Sequence, residues 1–247
     1  NCRKAAWVDY QFRLNQARIA YTNCINNCKE NNNCIASGIS GSADSAIKAL
    51  YLLEQQNQLK LIESINWRNN IFQSARYFEF EPLAEDATKV YLKQGFETEV
   101  SNPSSTFATA NILSGNIHKD DRYGNYPVAT FKFSGGQLVE ISDRGGVPTS
   151  FIWGFDNTVP IVKAIGINYP ALLSAYTVSS SDLQSDPTLA GAQVFSYTYD
   201  PLIGITSITD ANGQKTTYVY DKLGRLIRIK DHEGNVIQET TYKLRHE

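Results

Sequence analysis

The side chains able to do chemistry fall into a few groups, and the spacing within each limits what it could do. Four cysteines stand at Cys2, Cys24, Cys28 and Cys34, and none follows. An even, clustered set in a chain rich in Tyr, Asn, Ser and Thr favours disulfides and an oxidising, extracytoplasmic compartment. Zinc would call for closely paired ligands, whereas 21, 3 and 5 residues separate these cysteines and the first histidine is His118. If the segment from Trp7 to Cys24 is helical, Cys2 lies about 33 Å from Cys24, beyond the reach of a disulfide. Cys34 can pair with Cys28 or with Cys24, so the connectivity stays open. His118, His232 and His246 are scattered and suggest no Cys-His or Ser-His pair. Glu79 with Glu81, and Glu97 with Glu99, would share strand faces as glycosidase carboxylates could, but solvated strand edges explain them more simply. His118, Asp120 and Asp121 form the densest polar loop cluster and lack the EF-hand pattern. The expectation is therefore a chain with no catalytic set, no metal site and no cofactor.

Composition points the same way. The 247 residues are 42% hydrophobic and 19% charged with a formal charge of -2, enough for one large or two modest packed domains. This balance excludes a polyelectrolyte tail and a basic nucleic-acid footprint. No apolar run reaches the roughly 18 to 20 residues of a membrane span. The start at Asn1, without Met or a secretory signal, reads as a processed chain or a fragment.

Two kinds of element must hold these residues. Trp7, Tyr10, Leu14, Ala17, Tyr21, Cys24 and Cys28 alternate spacings of three and four, the seam of a helix. The stretch through Asn31, Asn32, Asn33, Gly38 and Gly41 breaks it, and Ser42 or Asp44 can cap a second helix to about Asn66. An antiparallel helical hairpin over residues 1–70 is the expectation, with a boundary near residues 68–76. Beyond it the period becomes two, with strands at Tyr77–Glu81, Val90–Leu92 and Ala129–Phe133.

The last fifty residues repeat themselves. Tyr197 and Tyr218, Tyr199 and Tyr220, Asp200 and Asp221, Asp210 and Asp231, and Gly213 and Gly234 are each 21 residues apart. Asp-x-x-Gly recurs at Asp210–Gly213, Asp221–Gly224 and Asp231–Gly234, each suited to a type I turn. A worn copy appears at Asp143–Gly146, with Phe151 and Trp153 in place of Tyr218 and Tyr220 at the same offset of 67. Phe133 and Gln137–Ile141 extend the similarity back to about residue 126. An insertion of a short helix and a loop, roughly residues 160–192, separates the copies. The tyrosines could pack as cross-strand pairs or stack on sugar rings.

Tyr197-Thr-Tyr-Asp-Pro-Leu-Ile-Gly204, Thr209-Asp-Ala-Asn-Gly213 and Tyr218-Val-Tyr-Asp-Lys-Leu-Gly-Arg-Leu226 resemble the YD-repeat, or RHS-repeat, family of bacterial secreted and surface proteins. The resemblance covers residues 195–238 strongly and 126–165 weakly. It implies a ribbon of antiparallel strands that spirals into a shell, of which this chain supplies a few turns. Toxin-bearing members have a closing Asp-Pro-x-Gly-Leu motif where this sequence has Asp200-Pro-Leu-Ile-Gly204. The fold expectation is thus α+β: a disulfide-containing helical hairpin at 1–70, then a β-rich repeat domain at 71–247. The functional expectation is a non-enzymatic structural or interaction module of a secreted or cell-surface protein. Its partners would be proteins or upstream repeats of the same parent, with glycans as a further class, and neither nucleic acid nor a membrane span of its own. The alternatives are the end of a toxin-carrying shell and a carbohydrate-binding adhesin.

Overall fold

The computed structural model of the chain describes residues 45–98, 105–113, 116–178, 180 and 183–243. The four cysteines, and with them the expected first helix and its disulfides, lie outside the described residues. The chain divides into two compact units, one ending at Pro127 and the other beginning at Val128.

In the first unit, α1 (Ser45–Gln55) buries Ala46, Ala49 and Leu53, and its core cluster includes Phe80. The expected run to Asn66 is corrected: the helix stops at Gln55. Asn57 takes the left-handed conformation at φ +54°, its N–H donates to Glu54 O at 3.0 Å, and Gln58 N–H donates to Leu53 O at 2.8 Å. These two bonds satisfy the last carbonyls in a Schellman cap. Ile65, expected on the helix, instead lies in β1 (Glu63–Arg68), paired with β2 (Ile71–Pro82). Asn69 and Asn70, at φ +53° and +61°, make the two-residue turn that the right-handed twist of a hairpin favours. The expected boundary at residues 68–76 therefore falls inside a hairpin. β3 (Val90–Glu97) continues the meander, and the short pair β4 (Asn111–Leu113) and β5 (Asn116–His118) follows. Phe72, Ala75, Tyr77, Phe96 and Tyr123 form the second core cluster of this unit.

The second unit is an antiparallel meander in which each strand pairs with the next. Its strands are β6 (Ala129–Ser134), β7 (Gln137–Asp143), β8 (Pro148–Gly154), β9 (Val159–Ile165) and β10 (Gln193–Asp200). They continue as β11 (Gly204–Thr209), β12 (Lys215–Tyr220), β13 (Leu226–Lys230) and β14 (Val236–Glu239). The register shifts once within β6–β7, β8–β9, β10–β11 and β12–β13, leaving Val139, Ile161, Thr206 and Ile227 as bulged residues. Ile237 is bulged in the same way in β14.

The expected insertion begins later than residue 160, because residues up to Ile165 form β9. It carries α2 (Tyr169–Val178) and 3-10 turns at Leu183–Ser185 and Pro187–Leu189. Leu172, Ala175, Leu183 and Leu189 from this segment share a core with Ile152, Val162, Ala164 and Val194 of the sheet. Glu140, only 2% exposed, anchors the segment: it accepts from Lys132 Nζ at 2.7 Å and from the N–H of Tyr169 at 2.8 Å. Asn168 Oδ1 accepts from Ala171 N–H at 3.0 Å, so side chains satisfy two free donors of the helix start. From β12 onward the burial ends: no described residue from Lys215 to Lys243 is fully buried.

Candidate functional site

The repeat turns are built alike from one aspartate each. At Asp210, Oδ1 accepts from the N–H groups of Asn212 and Gln214, both at 2.9 Å. At Asp221 the donors are Leu223 and Arg225, at 2.8 and 3.0 Å. At Asp231 they are Glu233 and Asn235, at 3.0 and 2.8 Å. In each turn the glycine N–H returns to the aspartate carbonyl, and Gly213, Gly224 and Gly234 have φ of +79°, +73° and +88°. This is a type I turn closed by a left-handed residue, the three-residue hairpin loop that a Gly bulge completes. The worn copy keeps most of it: Gly146 has φ +75°, and Asp143 Oδ1 accepts from Val147 N–H at 3.0 Å. The N–H of Arg225, and then its guanidinium, hold the Asp221 carboxyl below its ordinary pKa.

The aromatics divide into two roles. Phe151, Tyr197 and Tyr218 stand across the ladder from Lys163, Ile208 and Ile229. The second aromatic of each pair reaches across to the preceding hairpin. Trp153 Nε1 donates to Leu138 O, Tyr199 Oη to Pro160 O and Tyr220 Oη to Ile205 O, each at 2.7 Å; Tyr242 Oη donates to Leu226 O at 3.1 Å. Leu138, Pro160, Ile205 and Leu226 are themselves the cross-strand partners of Phe133, Trp153, Tyr199 and Tyr220, next to the bulges. Every rung thus names the acceptor for the next, and the register of each hairpin is pinned to the one before it.

Residues 204–236 match the RHS Repeat family. The chain carries an RHS repeat. Its matched segment runs from the start of β11 to the start of β14, and so contains three aspartate turns and one tyrosine rung in full. No curated protein matches the chain. Among solved structures it is similar to TcdB2-TccC3, at 14% identity over 70% of this chain and 7% of that one, with a TM-score of 0.37. TcdB2-TccC3 without its hypervariable C-terminal region gives 13% identity, 72% and 9% coverage and the same TM-score. The chain therefore spans 7% and 9% of the lengths of those chains.

Other polar groups singled out in the sequence are engaged by neighbouring groups of the chain. Glu79 is engaged by Gln94 and by Lys119 at 3.4 Å, Glu81 by Lys93 at 3.3 Å, and Glu97 by Arg76 at 2.5 Å. Each carboxylate faces its own partner, and the two of a pair share none of these contacts. Glu99 lies outside the described residues. Asp120, in the cluster with His118 and Asp121, is taken up by Arg122 at 2.7 Å and the Ala108 N–H at 2.8 Å. Among the described residues, no group of three or more His, Cys, Asp or Glu is placed to hold a metal ion.

Two ladder members escaped the sequence reading. Tyr242 follows Tyr220 by 22 residues and is succeeded by Lys243 where the RHS pattern has Asp, so the 21-residue offset passes it by. The Arg225 guanidinium lies 4.5 Å from the Tyr242 ring centroid while holding Asp221 at 2.7 Å. Arg225 thus ties its own turn to the next aromatic.

Proposed function

We propose that this chain is a non-enzymatic framework segment of a larger RHS-repeat protein, whose hairpins serve as a rigid strip for further repeats or protein partners to cover. The observation that supports this reading most directly is the contrast within the second unit. The aspartate turns from Asp210 to Asp231 and the aromatic–carbonyl rungs continue to Tyr242, yet no residue of β12, β13 or β14 is fully buried. Repeats of this kind bury their faces against neighbours, so a strip with fixed register and open faces suits a part whose cover comes from elsewhere. Placement outside the cytoplasm belongs to the same proposal and rests on the cysteine clustering. No helix among the described residues is long and apolar enough to cross a membrane.

Hydrogen exchange on the 247-residue chain tests the framework reading. The amides of β8–β10, under the inserted segment, should exchange slowly, and those of β13–β14 should exchange faster. In a longer natural product that includes neighbouring repeats, β13–β14 should become protected. Unchanged exchange there would overturn the proposal.

A further inference from the structure

The aspartate turns share one frame, but the residue before the closing glycine varies. It is Gly145 in the worn copy and Asn212, Leu223 and Glu233 in the others, so Asn212–Gly213 is the one Asn-Gly step of the turns and of the whole sequence. At such a step an asparagine can react with its own main chain, because glycine has no Cβ to keep the side-chain carbon from the next nitrogen.

Asn212 is exposed, and its side-chain amide has no hydrogen-bond partner among the described residues. The exposed Asn235 of the next turn is different: its amide donates to Asp231 at 3.1 Å and to Glu233 at 3.0 Å, and Val236 follows it.

The nitrogen that must attack is less free than the carbon it attacks. The Gly213 N–H donates to Asp210 O at 3.0 Å, while Asp210 Oδ1 accepts from the N–H groups of Asn212 and Gln214, both at 2.9 Å. These bonds hold the main chain on both sides of the step. The Gly213 nitrogen becomes a nucleophile only by giving up the proton that closes the turn.

We propose that Asn212 is a site of spontaneous covalent modification and that Asp210 gates it. When the loop opens, the Gly213 nitrogen bonds to the side-chain carbon of Asn212; the side-chain nitrogen leaves as ammonia, and the Gly213 proton is released to solvent and replaced on the departing ammonia. The product is a cyclic imide. Water then opens it by breaking either of its two C–N bonds, giving aspartate or isoaspartate, so water is the sole co-reactant.

The two products act differently on the strip. The aspartate form resembles Glu233, whose N–H still reaches its turn aspartate at 3.0 Å. Isoaspartate instead routes the main chain through the side-chain methylene, and the lengthened loop no longer presents both N–H groups to Asp210 Oδ1. Directly beside this loop Ser207, Ile208 and Thr209 pair with Thr217, Thr216 and Lys215, the pairs that join β12 to β11.

The test incubates the 247-residue chain at mildly alkaline pH and follows Asn212 by peptide mapping that separates aspartate from isoaspartate. Conversion should be slower in the folded chain than in the same chain unfolded in guanidinium. Asp210→Ala should convert about tenfold faster than the parent when folded, the scale of the lost hydrogen bonds, and no faster when unfolded. Asp210→Asn, which keeps an acceptor oxygen, should stay near the parent. The purified isoaspartate form should show faster amide exchange in β12–β14, and Asn212→Asp should not. Equal rates in the folded and unfolded chains, or equal folded rates for Asp210→Ala and the parent, would overturn the gate; no conversion at Asn212 even when unfolded would overturn the site. Neither result bears on the framework reading.

Discussion

The hydroxyl of Tyr220 on β12 donates to the backbone carbonyl of Ile205 on β11 at 2.7 Å, and Tyr199 makes the same bond to Pro160. The acceptor in both cases sits beside a bulged residue, where the regular ladder is interrupted and a carbonyl is available. The bond therefore does at the bulge what a ladder hydrogen bond does elsewhere.

Removing one such hydroxyl should cost about 1 kcal/mol, the typical net worth of a single hydrogen bond. Tyr220→Phe and Tyr199→Phe should each lower the urea midpoint accordingly with an unchanged slope. Tyr218→Phe, which lacks the rung, should stay within about 0.5 kcal/mol of the parent chain. Equal effects at Tyr218 and Tyr220 would deny the rung its role.

Gly154 ends β8 opposite Val159 and lies beside the side chain of the bulged Ile161. A Cβ placed there would lie 2.7 Å from Ile161 Cγ2, on a β-branched side chain with little freedom to move. Gly154→Ala should destabilise by about 1–3 kcal/mol, as overpacking does. Adding Ile161→Ala should restore part of the loss in the same thermal-melt assay; no recovery would place the cause elsewhere.

Glu140 links a strand to the start of α2. Glu140→Ala leaves the Tyr169 N–H without its acceptor, and the expected cost is about 1–3 kcal/mol. The exposed Lys132 can return to water, so the loss should appear chiefly as faster amide exchange at the start of α2. Glu140→Gln, which keeps a carbonyl oxygen, should be milder. Equal exchange in the two variants would contradict this account.

Acid should act unequally on the first unit. The hydrogen bond from Arg122, with the N–H groups of Ala108 and Arg122, holds the Asp120 carboxyl down at about 2. Its contribution is full above the unfolded carboxyl pKa of about 3.9 and is lost as pH falls through about 2. Burial raises the Glu63 carboxyl, against the bonds from Tyr123 and Ala110. Its ionised form therefore weighs on the fold at neutral pH, and protonation on acidification relieves that cost. Near-ultraviolet circular dichroism of the Tyr77 and Tyr123 surroundings should persist to about pH 3. An earlier loss that Asp120→Asn abolishes would reverse the sign assigned here.

The turns were legible in the sequence because their chemistry is local: one aspartate oxygen and one left-handed glycine decide the loop within five residues. The end of α1 was harder. Asn57 lies in a run of polar residues equally suited to the wet face of a helix, and nothing local marks it as the cap. Asn69–Asn70 did carry a hairpin signal, but the apolar residues before it also fit a helical stripe, and pairing with β2 decided between them. The rungs were out of reach for a different reason. Their acceptors are backbone carbonyls of Leu138, Pro160, Ile205 and Leu226, side chains with nothing in common.

Side chains on a strand change sides at every residue, while successive copies here are spaced by 21, an odd number. Strict alternation would turn every second copy inside out. Thr206 takes one residue out of the count, so that Tyr197 and Tyr218 meet Ile208 and Ile229 in the same sense. From Tyr220 to Tyr242 the spacing is 22, and there a second extra residue, Ile237, balances the parity again. Thr206 is thus a place where this strip can lose a residue and still face the right way; a deletion within the regular part of β11 or β12 would invert all that follows.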